Sequence, residues 1–193
     1  MLPCDRDLTR MKCKLTFLHT SPLHIATFDG LLGTLSHDLE VTHLVDESLL
    51  RDTISLGHVD EGITARIGSL IDEAIKAGAD LVLCTCSSIG AVAEEMNAME
   101  SIEIQRIDRA MADEAVRIGG RILLAAALGS TLGPTAALLR SSAQAAGKEI
   151  QIREIIVPKA WPMFEAGDRS GYVDTIATCL RQEAADSDVI VLA

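Results

Sequence analysis

The sequence predicts an α/β fold in which two similar halves each contain a parallel sheet. Apolar runs of strand length alternate with amphipathic stretches of helix length, a pattern typical of parallel sheets with helices on both faces. A weak internal repeat divides the chain. The strands predicted at 14–20 and 121–127 lie 107 residues apart, and the strands that begin at Asp80 and Asp188 lie 108 residues apart.

The first half is predicted to span 11–108, after a mobile leader over 1–10. Ser21 and Pro22 form a good N-cap and first-residue pair for the first helix, and Gly57 and Gly62 mark a polar loop before a later helix. The run 80–85 is almost continuously apolar, as in a strand covered on both faces. The predicted elements are strand 14–20, helix 22–35, strand 39–45, helix 63–77, strand 80–85, helix 88–99 and strand 102–108.

The second half is predicted to span 109–193 and to repeat this order. Thr131, Gly133 and Pro134 are expected to open its second helix, and Gly147 to end it. Because the final apolar strand has no covering helix after it, this half is expected to be truncated. The predicted elements are helix 109–118, strand 121–127, a helix to about 146, strand 149–157, helices near 160–166 and 170–185, and strand 188–193.

The composition excludes several classes of function. The net charge is −11, with no basic cluster, so the chain is a poor match for nucleic acid or an anionic membrane. No run of 18 apolar residues predicts a membrane span, and the N-terminal residues do not resemble a signal peptide. Five cysteines without a secretion signal predict reduced thiols and a cytoplasmic protein.

Three polar segments follow predicted strands, where ligands bind in open α/β sheets. They combine hydroxyl groups with the free N–H groups of a helix start, which suit a carboxylate or a phosphate. Simple N-capping is the alternative explanation for any one of them. The segments are His19-Thr20-Ser21, Cys86-Ser87-Ser88 and Gly129-Ser130-Thr131.

Cys86 is the most reactive candidate, because a helix N-terminus stabilises a thiolate. A buried, inert cysteine is the alternative, and this description suits Cys84 within the apolar run. No second cysteine pair or nearby histidine completes a metal site, so no metal is expected. His19 lies at a strand end and could line the site, whereas His24, His37 and His43 are interpreted as ordinary polar or capping residues. GxGxxG, Walker A and GxSxG motifs are absent.

The segment GADLVLCTCSSIG resembles the first catalytic-cysteine segment of the aspartate/glutamate racemase superfamily, because Asp80 precedes Cys86 by six positions. Ser87 stands where these racemases often have Asn. The stretches LHTSPLHIATFDGLL, LVDESLLRD, RIDRAMADEAV and LGSTLGPTAALL resemble an uncharacterised branch of the same superfamily, which also includes hydantoin racemases, arylmalonate decarboxylase and maleate isomerase. The resemblance runs over most of 14–193.

The resemblance implies two flavodoxin-like three-layer halves related by a pseudo-twofold axis, with the active site between them. It implies a cofactor-independent amino-acid racemase or epimerase in which Cys86 is the acid/base. The carboxylate of a small amino-acid or related substrate would be held by backbone and hydroxyl donors, with His19 lining the site. These hydroxyl candidates are Thr20, Ser21, Ser87, Ser88, Ser130 and Thr131.

Two other readings remain open at the level of sequence. By the repeat, a second catalytic cysteine would stand at position 194. Members of the superfamily with one cysteine catalyse decarboxylation or cis–trans isomerisation of a small dicarboxylate. The third reading is a non-catalytic carboxylate-binding protein. The family often forms dimers or larger assemblies, so the resemblance also allows a homo-oligomer.

Overall fold

The computed structural model describes residues 12–35, 39–97 and 102–193, so the predicted leader over 1–10 and His37 lie outside the described residues. The chain divides into two compact units, Met1–Ile107 (unit 1) and Asp108–Ala193 (unit 2). Both are α/β units with parallel sheets. The predicted fold class is therefore confirmed.

Unit 1 contains a four-stranded parallel sheet, sheet A, in the order β2-β1-β3-β4. The last five residues of β1 are all buried, which explains why the central strand reads as an apolar run instead of an alternating pattern. The elements in chain order are β1 (Cys13–His19), α1 (Leu23–Leu32), β2 (Leu39–Val45), α2 (Glu47–Leu56), α3 (Glu61–Lys76), β3 (Leu81–Cys84), α4 (Ser87–Met96) and β4 (Glu103–Arg106).

The two faces of sheet A carry separate cores. On one face, Ile63, Ile67 and Ile71 recur every four residues along α3 and are almost fully buried in a cluster that includes residues of α2 and α4. Burial of each such side chain contributes roughly 2 kcal/mol. On the other face, Phe17 of β1 packs against Phe28 of α1. The sheet is therefore covered on both sides, as the sequence predicts.

Helix α2 corrects the prediction of a loop between the second strand and the helix at 63–77. The Asp46 carboxylate accepts a hydrogen bond from the Ser48 N–H at 2.9 Å and caps the helix start. Leu49 and Thr53, one turn apart, are both buried. Gly57 ends the helix with a φ of 75°, a left-handed conformation that favours glycine. The glycine predicted to mark a loop is thus the end of a helix.

Unit 2 contains a three-stranded parallel sheet, sheet B, in the order β6-β5-β7. Its second helix begins at Gly129, before the predicted opening at Thr131–Pro134, and Pro134 lies inside it. The elements in chain order are α5 (Arg109–Ile118), β5 (Arg121–Ala126), α6 (Gly129–Ala145), β6 (Gln151–Ile156), α7 (Trp161–Glu165), α8 (Arg169–Glu183) and β7 (Val189–Leu192).

The two sheets share a topology and a pair of equivalent aspartates. In each sheet the first strand lies between the second and the third. An Asp80 carboxylate oxygen accepts a hydrogen bond from the Lys14 N–H at 2.9 Å, and the Asp188 carboxylate accepts one from the Arg121 N–H at 2.8 Å. Each aspartate N–H also donates to the carbonyl of the same partner, at 2.8 Å in both units. We call each arrangement an aspartate clamp.

Two further findings concern the cysteines and the helices. Cys13, the first residue of β1, is disulfide-bonded, which corrects the expectation that every cysteine is reduced. Cys84, Cys86 and Cys179 are free thiols. Across the described ranges, every helix is too short or too polar to span a membrane.

Candidate functional site

The candidate site in unit 1 lies at the carboxyl edge of sheet A. His19 ends β1, and Thr85 and Cys86 follow β3, its neighbour in the sheet. The Thr85 N–H donates to the Leu18 carbonyl at 3.0 Å, so the backbone holds these two strand ends side by side. Parallel pairing therefore brings together polar residues that are 66 positions apart in the sequence.

Cys86 is the N-cap residue of α4, in extended backbone conformation and without a side-chain capping hydrogen bond. Its side chain is 7% exposed and contacts the apolar cluster on the α3 face of the sheet. Cys84, two residues earlier, is 1% exposed, and its Sγ faces the Cys86 carbonyl oxygen at 3.7 Å. The two thiols thus differ in position: Cys84 is the last residue of β3, and Cys86 lies at the start of α4.

The hydroxyl candidates of unit 1 occupy the two helix starts next to these strands. Thr20 is buried. The Ser21 Oγ accepts a hydrogen bond from the Leu23 N–H at 3.3 Å, but the N-cap residue of α1 is Pro22, so this helix begins one residue later than the Ser21-Pro22 pair predicts. Ser87 is half-buried and Ser88 is buried, both in the first turn of α4. His19, Thr20, Ser87 and Ser88 therefore belong to one edge of the sheet, together with Cys86.

Ser130 and Thr131 lie in unit 2, in the first turn of α6. The Thr131 hydroxyl donates to the Leu128 carbonyl at 2.8 Å, and the Thr131 N–H reaches the same oxygen at 3.2 Å. This hydroxyl therefore stabilises the helix start, which is the simple role that sequence analysis held open for it.

A hydrogen-bonded chain of four side chains crosses one face of sheet A, and we call it the histidine chain. The His19 Nδ1 lies 2.7 Å from the Thr85 Oγ1, and the His19 Nε2 lies 2.9 Å from the His43 Nδ1. The His43 Nε2 lies 3.0 Å from an Asp29 carboxylate oxygen. The chain thus connects the end of β3 to α1 through β1 and β2.

The strand register explains this arrangement. Phe17 and His19 are alternate residues of β1 and share a face, and His43 on β2 is the register partner of Phe17. The Phe17 ring stacks near both imidazoles, at 5.5 Å from His19 and 5.3 Å from His43. Sequence analysis treats His43 as an ordinary polar residue, because the pairing of β1 with β2 cannot be read from spacing along the chain.

Burial determines the protonation state of His19. Its side chain is fully buried, and burial, followed by the neighbouring His43 and His24, lowers the His19 pKa to about 4. The Asp29 carboxylate opposes this shift. Burial also lowers the pKa of His24. His19 is therefore neutral at physiological pH, with one ring nitrogen that donates and one that accepts.

Two other polar groups near this edge have structural roles. Asp46, which follows β2, caps α2. Arg66 of α3 donates to the Ser48 hydroxyl at 2.6 Å and to Asp52 at 2.7 Å, and this contact with Arg66 lowers the Asp52 pKa. These contacts join α2 to α3.

Arg106, the last residue of β4, is a buried charged residue that sequence analysis does not single out. It packs against Gly90 of α4, where an added Cβ would lie 3.1 Å from the Arg106 Nε. Gly90 therefore leaves room for the guanidinium at this end of the sheet. Among the described residues, no group of three or more histidine, cysteine, aspartate or glutamate side chains could hold a metal ion.

Comparisons with known proteins support the fold. No protein-family model matches the chain, and no curated protein matches it by sequence. Among solved structures, the chain is similar to the aspartate racemase of Picrophilus torridus, with a TM-score of 0.57 and 12% sequence identity over 94% of this chain and 80% of that one. The two proteins therefore share a racemase-type fold of α/β units.

Proposed function

We propose that this protein is a cofactor-independent racemase or epimerase of a small amino acid or related carboxylate, with Cys86 as the acid/base. The observation that carries the proposal is the position of Cys86, a free thiol at the carboxyl end of a central strand and at the start of α4. The shared fold with an aspartate racemase supports the same reaction class.

The chemistry follows from the surroundings of Cys86. In the exchange step, the Cα–H bond of the substrate breaks, its electron pair stays on the substrate as an enolate-like carbanion, and the proton forms an S–H bond with the Cys86 thiolate. Backbone N–H groups at the start of α4 and the hydroxyls of Ser87 and Thr20 would hold the carboxylate and stabilise this charge. Inversion further requires a proton donor on the opposite face of the substrate.

The test is exchange of the α-proton with deuterated water, followed by NMR for a panel of amino acids that begins with aspartate. We expect Cys86→Ala to lower the exchange rate by roughly a hundredfold or more, as for loss of a general base. Cys84→Ala and Cys179→Ala are the matched controls and should keep most of the activity. Equal rates in the Cys86→Ala variant and the native protein would refute the role of Cys86.

A one-cysteine decarboxylase or cis–trans isomerase of a dicarboxylate is the second candidate. It is favoured by the distribution of thiols: among the described residues, Cys86 is the one free cysteine that lies between a strand and the helix that follows it. In decarboxylation, the bond to the departing carboxylate breaks, carbon dioxide leaves, and the Cys86 thiol protonates the carbanion. Carbon dioxide release without α-proton exchange would select this candidate.

A non-catalytic carboxylate-binding protein is the third reading, and the low exposure of Cys86 is its support. It predicts that amino acids raise the thermal midpoint without turnover. It also predicts that iodoacetamide modifies Cys86 no faster than a free cysteine. Faster modification of Cys86 than of the more exposed Cys179 would contradict it.

A further inference from the structure

We propose that Thr85, His19, His43 and Asp29 form a proton relay that connects the carboxyl edge of sheet A with solvent. The three contacts of this chain are 2.7, 2.9 and 3.0 Å long, all within hydrogen-bond range. The two imidazole planes lie within 15° of each other with centroids 5.2 Å apart, as expected for rings joined edge to edge through their nitrogens.

The acceptor at the outer end determines the direction of every hydrogen bond. The Asp29 carboxylate accepts, so the His43 Nε2–H donates to it, and in the tautomer with this single ring proton the His43 Nδ1 accepts. The His19 Nε2–H therefore donates to His43, and the His19 Nδ1 accepts from the Thr85 hydroxyl at 2.7 Å, a proton for which the Leu18 carbonyl oxygen, at 3.2 Å, is the more distant second acceptor. This assignment leaves the Thr85 oxygen as an acceptor at the edge of the sheet.

A proton that reaches the Thr85 oxygen can leave at Asp29 while no histidine becomes charged. The Thr85 hydroxyl proton moves to the His19 Nδ1, the His19 Nε2–H moves to the His43 Nδ1, and the His43 Nε2–H moves to Asp29. Three bonds to hydrogen break and three form, besides the bond that the incoming proton makes with Thr85. Afterwards Thr85 has its hydroxyl again, both imidazoles are neutral in the other tautomer, and Asp29 is a carboxylic acid.

The burial gradient fits this direction of transfer. The His19 side chain is fully buried, the His43 side chain is 15% exposed, and the Asp29 side chain is 57% exposed. A charged imidazolium at His19 would be costly, because it lies against the rings of Phe17 and Phe28 and near His24. Transfer through neutral tautomers avoids that charge.

The relay ends at Thr85, which follows β3 at the carboxyl edge of sheet A, so we assign it to proton exchange between a substrate bound at this edge and solvent. This assignment rests on the proposed function. The relay itself rests on the geometry of its four side chains and can be measured without substrate.

The first experiment is NMR of the full chain labelled with ¹⁵N-histidine at neutral pH. We expect protonated Nε2 and bare Nδ1 in both His19 and His43, and we expect Asp29→Asn to slow exchange of the His19 Nε2–H with water by at least threefold. The asparagine oxygen still accepts from His43 but cannot take its proton. His43→Gln should slow the exchange by at least tenfold, and His58→Gln, at an exposed imidazole outside the chain, should leave it unchanged.

The outcomes separate the relay from the proposed function. A proton on the His19 Nδ1 in the native protein would overturn the relay, as would an exchange rate that neither Asp29→Asn nor His43→Gln changes. Asp29 is an exposed side chain, so its variant keeps the test valid if His43→Gln does not fold. With an active substrate, Asp29→Asn should lower kcat for α-proton exchange at least threefold and change KM less than twofold. Absence of exchange in the native protein would refute the proposed function, and the NMR result would still decide the relay.

Discussion

Units 1 and 2 are alike at the amino ends of their strands and different at the carboxyl ends. Both have an aspartate clamp at the amino end, on Asp80 and Asp188. At the carboxyl end, the strand register places Ala126 at the position of His19 and Ala193 at the position of Thr85. The N–H of Thr85 and the N–H of Ala193 each donate to the neighbouring strand, at 3.0 Å in unit 1 and 2.9 Å in unit 2. The two units therefore share the aspartate clamp but differ in the side chains at the carboxyl ends of their strands.

This difference separates the aspartates, which fix both sheets, from the histidine chain, which is found in unit 1. An aspartate that binds both the N–H and the carbonyl of a neighbouring strand fixes the register, and both sheets need that. A buried, neutral histidine chain contributes less to packing than apolar side chains of similar volume and needs every hydrogen bond satisfied. Its presence in unit 1 is the observation that supports the relay proposed above.

The largest expected effect is a loss of unit 1 stability in acid. The folded-state pKa of His19 is about 4, below the ordinary histidine value of 6.5, so between these values the unfolded chain binds a proton that the folded chain does not. The contribution of neutral His19 to the free energy of unfolding is therefore complete above pH 6.5. It falls as the pH drops toward 4, by about 3 kcal/mol at roughly 1.4 kcal/mol per pKa unit.

Hydrogen exchange of sheet A and sheet B between pH 7.5 and 4 checks this prediction. Amides of sheet A should lose protection in this range, and His19→Gln should weaken the pH dependence. Sheet B, with alanine at the equivalent position, is the internal control. An equal loss in both sheets would show that His19 is not the cause.

The next largest effect is expected when a substitution at Gly119 sterically disrupts the aspartate clamp of unit 2. In Gly119→Ala, the added Cβ would lie 2.3 Å from the Asp188 Cβ, so the strand start must move. We expect a loss of about 1–3 kcal/mol, as for overpacked sites, measured by urea unfolding. Gly133→Ala, in α6 with open space around it, is the matched control and should be neutral or stabilising. A neutral Gly119→Ala would contradict the rigidity of this clamp.

A smaller effect is expected for the clamp of unit 1. Asp80→Ala removes the carboxylate that accepts from the Lys14 N–H, at a cost of about 1 kcal/mol for one unsatisfied donor. Asp80→Asn, whose amide oxygen can still accept, should recover part of this loss. The two variants are compared by thermal unfolding, and identical midpoints for alanine and asparagine would show that the hydrogen bond does not matter.

The smallest effect separates the two clamps by pH. Hydrogen bonds from the Arg121 side chain and N–H lower the pKa of Asp188 below its usual 3.8. The contribution of this clamp is therefore complete above pH 3.8 and lost as the pH falls below it. Asp188→Asn should reduce the pH dependence of the free energy of unfolding of unit 2 below pH 3.8 only. A change of slope above pH 5 would point to another group.

Much of the fold could be predicted, because a strand or helix with a strongly periodic pattern of apolar residues can be recognised from its own local sequence. The predicted strand 39–45 and helix 109–118 agree with β2 and α5 residue for residue. Helix α2 was not predicted, because its cap at Asp46 and its end at Gly57 resemble loop residues until the buried pair between them is known.

The site was predictable only in part. The sequence alone places His19 and Cys86 at strand ends, and the structure has both at the carboxyl edge of sheet A, where ligands bind in open α/β sheets. The partnership of His19 with His43 depends on the cross-strand register, and the role of Asp29 depends on how α1 packs on the sheet. Thr131 shows the opposite case, a hydroxyl that matched the pattern of a ligand-binding group but serves its own helix.

The span of each aspartate clamp has a consequence for synthesis on the ribosome. Lys14 pairs with Asp80, 66 residues later, and Arg121 pairs with Asp188, 67 residues later. Neither clamp can therefore form until the strand that follows its aspartate, β3 or β7, has been synthesised. Closing loops of this length makes sheet formation slow compared with helix formation. Unit 1 can complete its clamp before Arg121 is translated, so the chain is built to fold from the N-terminal unit onward.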